Sequence, residues 1–191
     1  MRIATVFLAL GVLGVVVAPT RARAGELTLD VGLQATTTAW PDDRGGGAAL
    51  QAAYWFRSWL GASFIGKEHY AQVDDRFLSY FSVNAAVRRD LGRVRLGGTL
   101  GVVHQHEEPY AAVMEQPVAS LFGVADGTRH RMGTRAGLQL AVPFRAHRRG
   151  DWYVALDVDA TRFLDQDRGP GWMSSLGASI GFSWDFARSG K

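Results

Sequence analysis

Hydrophobic and polar positions alternate over residues 172–186, with Met173 and Ser174 the only exchange. Trp172, Leu176, Ala178, Ile180, Phe182, Trp184 and Phe186 fall on one parity, and Met173, Ser175, Gly177, Ser179, Gly181, Ser183 and Asp185 on the other. A period of two places successive side chains on opposite faces of a β-strand, here one apolar face and one small, polar face. The run exceeds the mean strand of a soluble domain, about 5–6 residues, and reaches the roughly 9–11 needed to cross a bilayer.

Seven earlier segments repeat the pattern, separated by turn signals. Residues 26–39 set Leu27, Leu29, Val31 and Leu33 against Glu26, Thr28, Asp30 and Gln34, and the Pro41 to Gly47 stretch ends them. Residues 48–57 carry Leu50, Ala52, Tyr54 and Phe56 on the apolar parity, and 59–67 carry Leu60, Ala62 and Phe64. Residues 76–88 oppose Phe77, Phe81, Val83, Ala85 and Val87 to Tyr80, Ser82, Asn84 and Arg88. Residues 93–103, 129–142 and 152–164 continue in the same way, with Val94, Met132 and Trp152 opening their apolar faces. The pattern predicts outer loops near 40–47, 67–76, 104–128 and 164–171, and turns near 58, 89–92 and 143–151.

Alternation alone also suits a soluble barrel with its apolar face inside. Composition separates the two. A water-facing sheet is rich in Lys and Glu, whereas Lys67 and Lys191 are the only lysines, and the polar parity is Gly, Ser, Thr and some Arg and Asp. That set suits the cramped interior of a small barrel. Trp55, Trp59, Trp152, Trp172, Trp184, Tyr54 and Phe186 lie near segment ends, where aromatic girdles meet the two membrane interfaces. In lipid every backbone polar group must be paired, which for strands requires a closed sheet. The expected fold is all-β: an eight-stranded, antiparallel, transmembrane up-and-down barrel.

The N-terminus fits export. Arg2, an apolar run over residues 3–18 and Ala22-Arg23-Ala24 make a secretory signal peptide, expected to be cleaved after Ala24. The barrel is then residues 25–191. Cleavage removes Arg2, Arg21 and Arg23, and with them the formal charge of +3. Nucleic-acid binding thereby loses its electrostatic argument. The chain has no cysteine, which excludes disulfides, thiol catalysis and Cys-ligated metals.

The whole mature chain resembles the small eight-stranded outer-membrane β-barrels of Gram-negative bacteria, the OmpA/OmpX-type group. The most specific element is C-terminal: Ser179-Ile180-Gly181-Phe182-Ser183-Trp184-Asp185-Phe186 fits the polar-x-Gly-x-x-apolar-x-apolar signal of that class. The tail at 187–191 departs from it, since such barrels often stop at the aromatic residue. The resemblance implies a bacterial outer-membrane location with both termini periplasmic. It implies membrane lipid, lipopolysaccharide and the barrel assembly machinery as partners, and leaves any surface partner open.

Three constellations are candidates for chemistry. On the inward parity lie Glu26, Asp30, Arg57, Arg88, Arg93, Arg95, Arg131, Arg135, Asp157 and Asp159. Charges inside a barrel must pair, and adjacent strands set Arg131 and Arg135 against Asp157 and Asp159. The set reads as a salt-bridge plug or as a narrow ion path. The second group, His69, His104, His106 and His130, falls at the outer strand ends. His-x-His on a strand puts both imidazoles on one face, the start of a zinc, copper or nickel site. The outer loops also carry Asp42, Asp43, Glu68, Glu107 and Glu108 against Lys67 and Arg76, which suggests weak calcium or magnesium association. Third, resemblance to lipid A modifying barrels raises an enzyme: His104 or His130 with Ser79 or Ser120 and Glu107. However, His104-Gln105-His106 lacks the His-x-Ser pattern of the deacylases.

Loop 104–128 is the longest, with Pro109 to Glu115 expected to start a short helix that Pro117 cuts. Its apolar residues, Tyr110, Val113, Met114, Val118, Leu121 and Phe122, predict a lid over the mouth or a contact with lipid or a partner. The expected function is non-enzymatic, structural or surface-interacting, without a cofactor beyond a weakly held divalent cation. The alternatives are a narrow ion channel, a metal-binding surface protein and a lipid A modifying enzyme.

Overall fold

The computed structural model describes residues 25–147, 150–165 and 169–186. The leader, Arg148, Arg149, residues 166–168 and the tail 187–191 lie outside the described residues. Eight strands make up the fold: β1 (Glu26–Thr38), β2 (Arg44–Trp55), β3 (Leu60–Ala71), β4 (Arg76–Leu91), β5 (Val94–Pro109), β6 (Arg129–His147), β7 (Gly150–Phe163) and β8 (Trp172–Asp185). Each pairs antiparallel with the next, and β1 pairs with β8 from Glu26↔Asp185 to Thr38↔Met173, closing the barrel. Closure leaves no edge whose N–H and C=O groups would face lipid.

The period-two pattern decides which way side chains point. Leu29, Val31 and Leu33 on β1, Leu100 and Val102 on β5, Leu156 and Val158 on β7 and Leu176 and Ile180 on β8 are exposed on the outer wall. Their neighbours Thr28, Asp30, Val103, Asp159, Ser175 and Ser183 are buried inside. An apolar exterior around a polar interior inverts the soluble pattern and matches a lipid-facing wall. Tyr54, Phe56, Trp59, Phe144, Trp152, Trp184 and Phe186 form an exposed aromatic belt at the end carrying the strand β1 start. Trp55 does not belong to it. Its parity is inward, it is buried, its indole donates to Thr28 Oγ1 at 3.3 Å, and the Arg88 guanidinium stacks 4.1 Å from its ring.

The strands run further than the apolar pattern indicates. β4 and β5 are each 16 residues long and stay paired up to Arg76↔Pro109, beyond what a bilayer requires. The expected loop at 67–76 therefore shrinks to residues 72–75, and that at 104–128 to 110–128. Gly45, Gly46 and Gly47 are not loop; they pair with Ala71, Tyr70 and His69 on β3, so the ladder overrides their turn preference. The expected turn at 143–151 is largely ladder as well. Pro143 opposes Tyr153 and Arg145 opposes Trp152, leaving Phe144 as a bulge where proline has no N–H to give.

Between β5 and β6 lie two short helices, α1 (Tyr110–Glu115) and α2 (Pro117–Leu121). Pro117 occupies the first turn of α2, where its missing N–H costs nothing. Tyr110 meets Tyr70 edge-on at 6.1 Å, and Tyr70 is exposed on the outer face of β3. The segment thus leans on the outside of the wall, with Met114, Val118, Phe122 and Val124 exposed.

Candidate functional site

Charged side chains fill the barrel in three tiers. At the end where β1 starts, Arg88 grips Glu26 with two hydrogen bonds of 2.7 and 2.8 Å and donates to the Ser58 carbonyl at 2.8 Å. Arg95 adds a contact to Glu26 at 3.4 Å and bonds Asp90 at 2.9 Å. A vestibule of about 430 Å³, lined by Glu26, Arg88, Asp90 and Arg95, opens below this tier.

In the middle, Lys67 donates to Asp159 at 2.6 Å and to Ser175 Oγ at 2.8 Å, and the Ser175 hydroxyl donates on to Asp159 at 2.7 Å. Arg135 approaches Asp159 at 3.4 Å and bonds Thr99 at 2.7 Å. Asp157 accepts from Gln139 and Ser179 at 2.9 and 3.1 Å. Asp30 lies against Tyr153, and a side chain on Gly181 would overlap both.

At the far end Glu107 collects three guanidiniums: Arg131 at 2.9 Å, Arg76 at 3.1 Å and Arg129 at 3.2 Å. Arg76 also holds Asp43 at 2.7 Å. Arg131 lies 4.1 Å from the Phe163 ring and donates to the carbonyls of Asp165 and Pro170 at 2.7 and 2.9 Å, which ties these two residues to the interior. Cavities around Asp30, Lys67 and Arg135, and around Gln51, Arg95 and Arg135, measure about 30 and 20 Å³. One water needs about 10–15 Å³ of such space. Neither holds more than a few waters.

The expected pairing of Arg135 with Asp159 is present. Arg131 does not face Asp157; it reaches Glu107 on the other neighbouring strand. Arg57 and Arg93, expected inside, are exposed beyond the strand ends. Lys67, Asp43, Arg76 and Glu107, assigned to outer loops, are buried members of the plug. Asp43 and Glu107 therefore leave the set of free rim carboxylates that suggested calcium or magnesium. Glu108 is also buried and accepts from Thr128 at 2.8 Å.

A second cluster lies on the outside of the wall near its outer rim. His106 and His130 are cross-strand partners on β5 and β6, and His104 opposes Met132 one step below. All four side chains share the outward parity, so the ladder brings them together. His104 Nε2 is 2.8 Å from His106 Nε2 and 3.3 Å from His130 Nδ1. One nitrogen from each of the three rings lies within 4.8 Å of the other two. Met132 Sδ lies 3.0 Å from His104 Nδ1. As an acceptor it favours the Nδ1–H tautomer, leaving the Nε2 lone pair facing the cluster. His106 is buried, with Phe81 edge-on at 5.8 Å and the Gly123 backbone over its Nδ1 side. Gly123 has φ +67° and no room for a side chain, so glycine is required there. His69 is not part of this group. It is on the inward parity of β3, fully buried, with its ring edge-on to Tyr80 at 6.4 Å.

Ser79, the proposed nucleophile nearest the histidines in register, donates its hydroxyl to Glu68 at 2.8 Å. A nucleophilic serine needs that bond to a general base oriented by a third group, an order this contact does not supply.

No protein-family model matches the chain, and no curated protein matches it. Solved structures do. The Neisserial surface protein NspA aligns with a TM-score of 0.58 at 12% identity, over 87% of this chain and 100% of that one. The attachment invasion locus protein Ail of Yersinia pestis aligns with a TM-score of 0.52 at 16% identity, over 84% of this chain and 99% of that one. Ail in complex with the heparin analogue sucrose octasulfate gives 0.53 at 18% identity, with the same coverage. At such identities the likeness speaks for architecture, and the chain has the fold of the small eight-stranded outer-membrane β-barrels.

Proposed function

We propose that this chain is a sealed outer-membrane barrel with a non-enzymatic, structural or surface-interaction role, acting through its outer segments rather than through its lumen. The observation that carries the reading is the filled interior: three tiers of charged side chains, each built around ion pairs, with cavities of about 30 and 20 Å³ between them. A conducting path would need these pairs to separate, leaving buried charges without partners. Both termini then lie in the periplasm, and the 430 Å³ vestibule faces the same side. The 110–128 segment faces outward, with Met114, Val118, Phe122 and Val124 exposed beside the lipid-facing wall. Lipid and lipopolysaccharide are its immediate neighbours in this orientation. The 179–186 signature is the surface offered to the assembly machinery.

Planar-bilayer recording tests the reading. Purified, folded protein should give no resolved conductance steps. Reproducible steps that change with Arg135→Ala would overturn it in favour of an ion path. An altered lipid A mass on expression in a Gram-negative host would overturn the non-enzymatic part.

A further inference from the structure

We propose that His104, His106 and His130 form a clip for a borderline divalent transition-metal ion, of which zinc is the probe, at the base of the 110–128 segment. His104 and His106 end the chain's approach to this segment on β5, and His130 begins its return on β6. The ladder already closes this loop at Glu107↔Arg129, so an ion held by all three histidines would reinforce its last rungs against fraying and steady the segment above them.

The geometry fits such an ion. Nitrogens bound tetrahedrally at about 2.0–2.1 Å from zinc stand about 3.3 Å apart. His104 Nε2 and His130 Nδ1 are at 3.3 Å, and His104 Nε2 and His106 Nε2 at 2.8 Å. The remaining separation, within 4.8 Å, closes by rotation of the exposed His130 ring, and the ion takes the place of the proton that His104 and His106 share. The Met132 sulfur on His104 Nδ1 acts as the outer-shell partner that fixes ring orientation. His106 is locked under Gly123, whereas His130 is exposed, so the fourth position faces water or a ligand. The donors are imidazoles without a carboxylate among them, which selects zinc, copper or nickel over calcium or magnesium.

The test is zinc titration of the folded full-length barrel in detergent against a chromophoric chelator, with limited chymotrypsin digestion alongside. One ion per chain is expected, retained in excess calcium. His104→Ala/His130→Ala should weaken binding by more than the roughly 10–100-fold that loss of an outer-shell partner costs, and Met132→Leu by about tenfold. Zinc should slow cleavage within 110–128 in the parent and not in the double variant. Heat-modifiable mobility establishes that each variant is folded, and His130→Gln, at an exposed position, carries the same comparison should the double variant fail to fold. Equal affinity in parent and histidine variants, zinc displaced by calcium, or cleavage indifferent to zinc would each overturn the proposal.

Discussion

Replacing Glu107 with glutamine should reveal how strongly the outer tier holds the barrel together. The side chain is fully buried and receives Arg131, Arg76 and Arg129 within 3.2 Å. Glutamine keeps the shape and one acceptor but removes the charge. Breaking a buried pair by removing one partner costs about 3–5 kcal/mol, because the remaining charge is left uncompensated. The lower end applies here. Arg76 keeps Asp43 at 2.7 Å, and Arg129 is 43% exposed, where solvent screens its charge. Arg131 keeps two carbonyls and the Phe163 ring, yet it has no other carboxylate within ion-pair distance among the described residues. A loss of about 3 kcal/mol is therefore expected. Urea unfolding in lipid vesicles, followed by tryptophan emission, measures it as a lowered midpoint at unchanged slope. Glu107→Gln/Arg131→Met should recover at least about half, since removing both partners avoids the stranded charge. A change below about 1 kcal/mol for the single variant, or a double variant no better than the sum of the two singles, would refute the argument.

Two further substitutions test the other tiers. Arg88→Lys should cost about 1–3 kcal/mol in the same unfolding assay, since lysine can neither fork onto Glu26 nor stack on Trp55. A value within error of the parent would show that this tier is dispensable. Gly181→Ala should cost about 1–3 kcal/mol by overpacking Asp30 and Tyr153, whereas Gly97→Ala, whose new carbon meets nothing closer than 3.6 Å, should be tolerated. Equal effects on midpoint and on the folded band in gels would contradict the packing described inside β8.

The wall was legible because lipid and lumen impose a strict parity, and each of the eight apolar faces lies where that parity puts it. Trp55 misled because its type and position near a strand end suggest a girdle, while its parity already pointed inward beside Thr28. His69 follows the same logic: its odd number on β3 places it inside, away from the other rim histidines. Lys67, Arg76 and Glu107 resembled loop charges because apolar partners cease at the membrane boundary while the ladder continues above it, whereas Asp43 is a loop residue whose carboxylate turns inward onto Arg76. Their pairing depends on stagger between strands, which composition does not encode. For that reason Arg131 meets Glu107 on β5 rather than Asp157 on β7. The His-x-His spacing was readable, but bringing His130 and Met132 to it required the β5–β6 register.

The most direct test of a sealed barrel spanning the membrane is a single-cysteine scan of β8 in the folded, lipid-reconstituted protein. The chain contains no cysteine, so each introduced thiol reports alone. Positions 175 to 182 are replaced one at a time, and each is assayed with a water-soluble thiol reagent and with a fluorophore quenched by brominated lipid. With Gly181 left out because it has no room for a side chain, the account predicts quenching at Leu176, Ala178, Ile180 and Phe182, none at Ser175, Gly177 and Ser179, and slow aqueous labelling at both sets. Rapid aqueous labelling along the Leu176 parity would contradict a lipid-facing wall, and rapid labelling along the Ser175 parity would contradict a sealed interior.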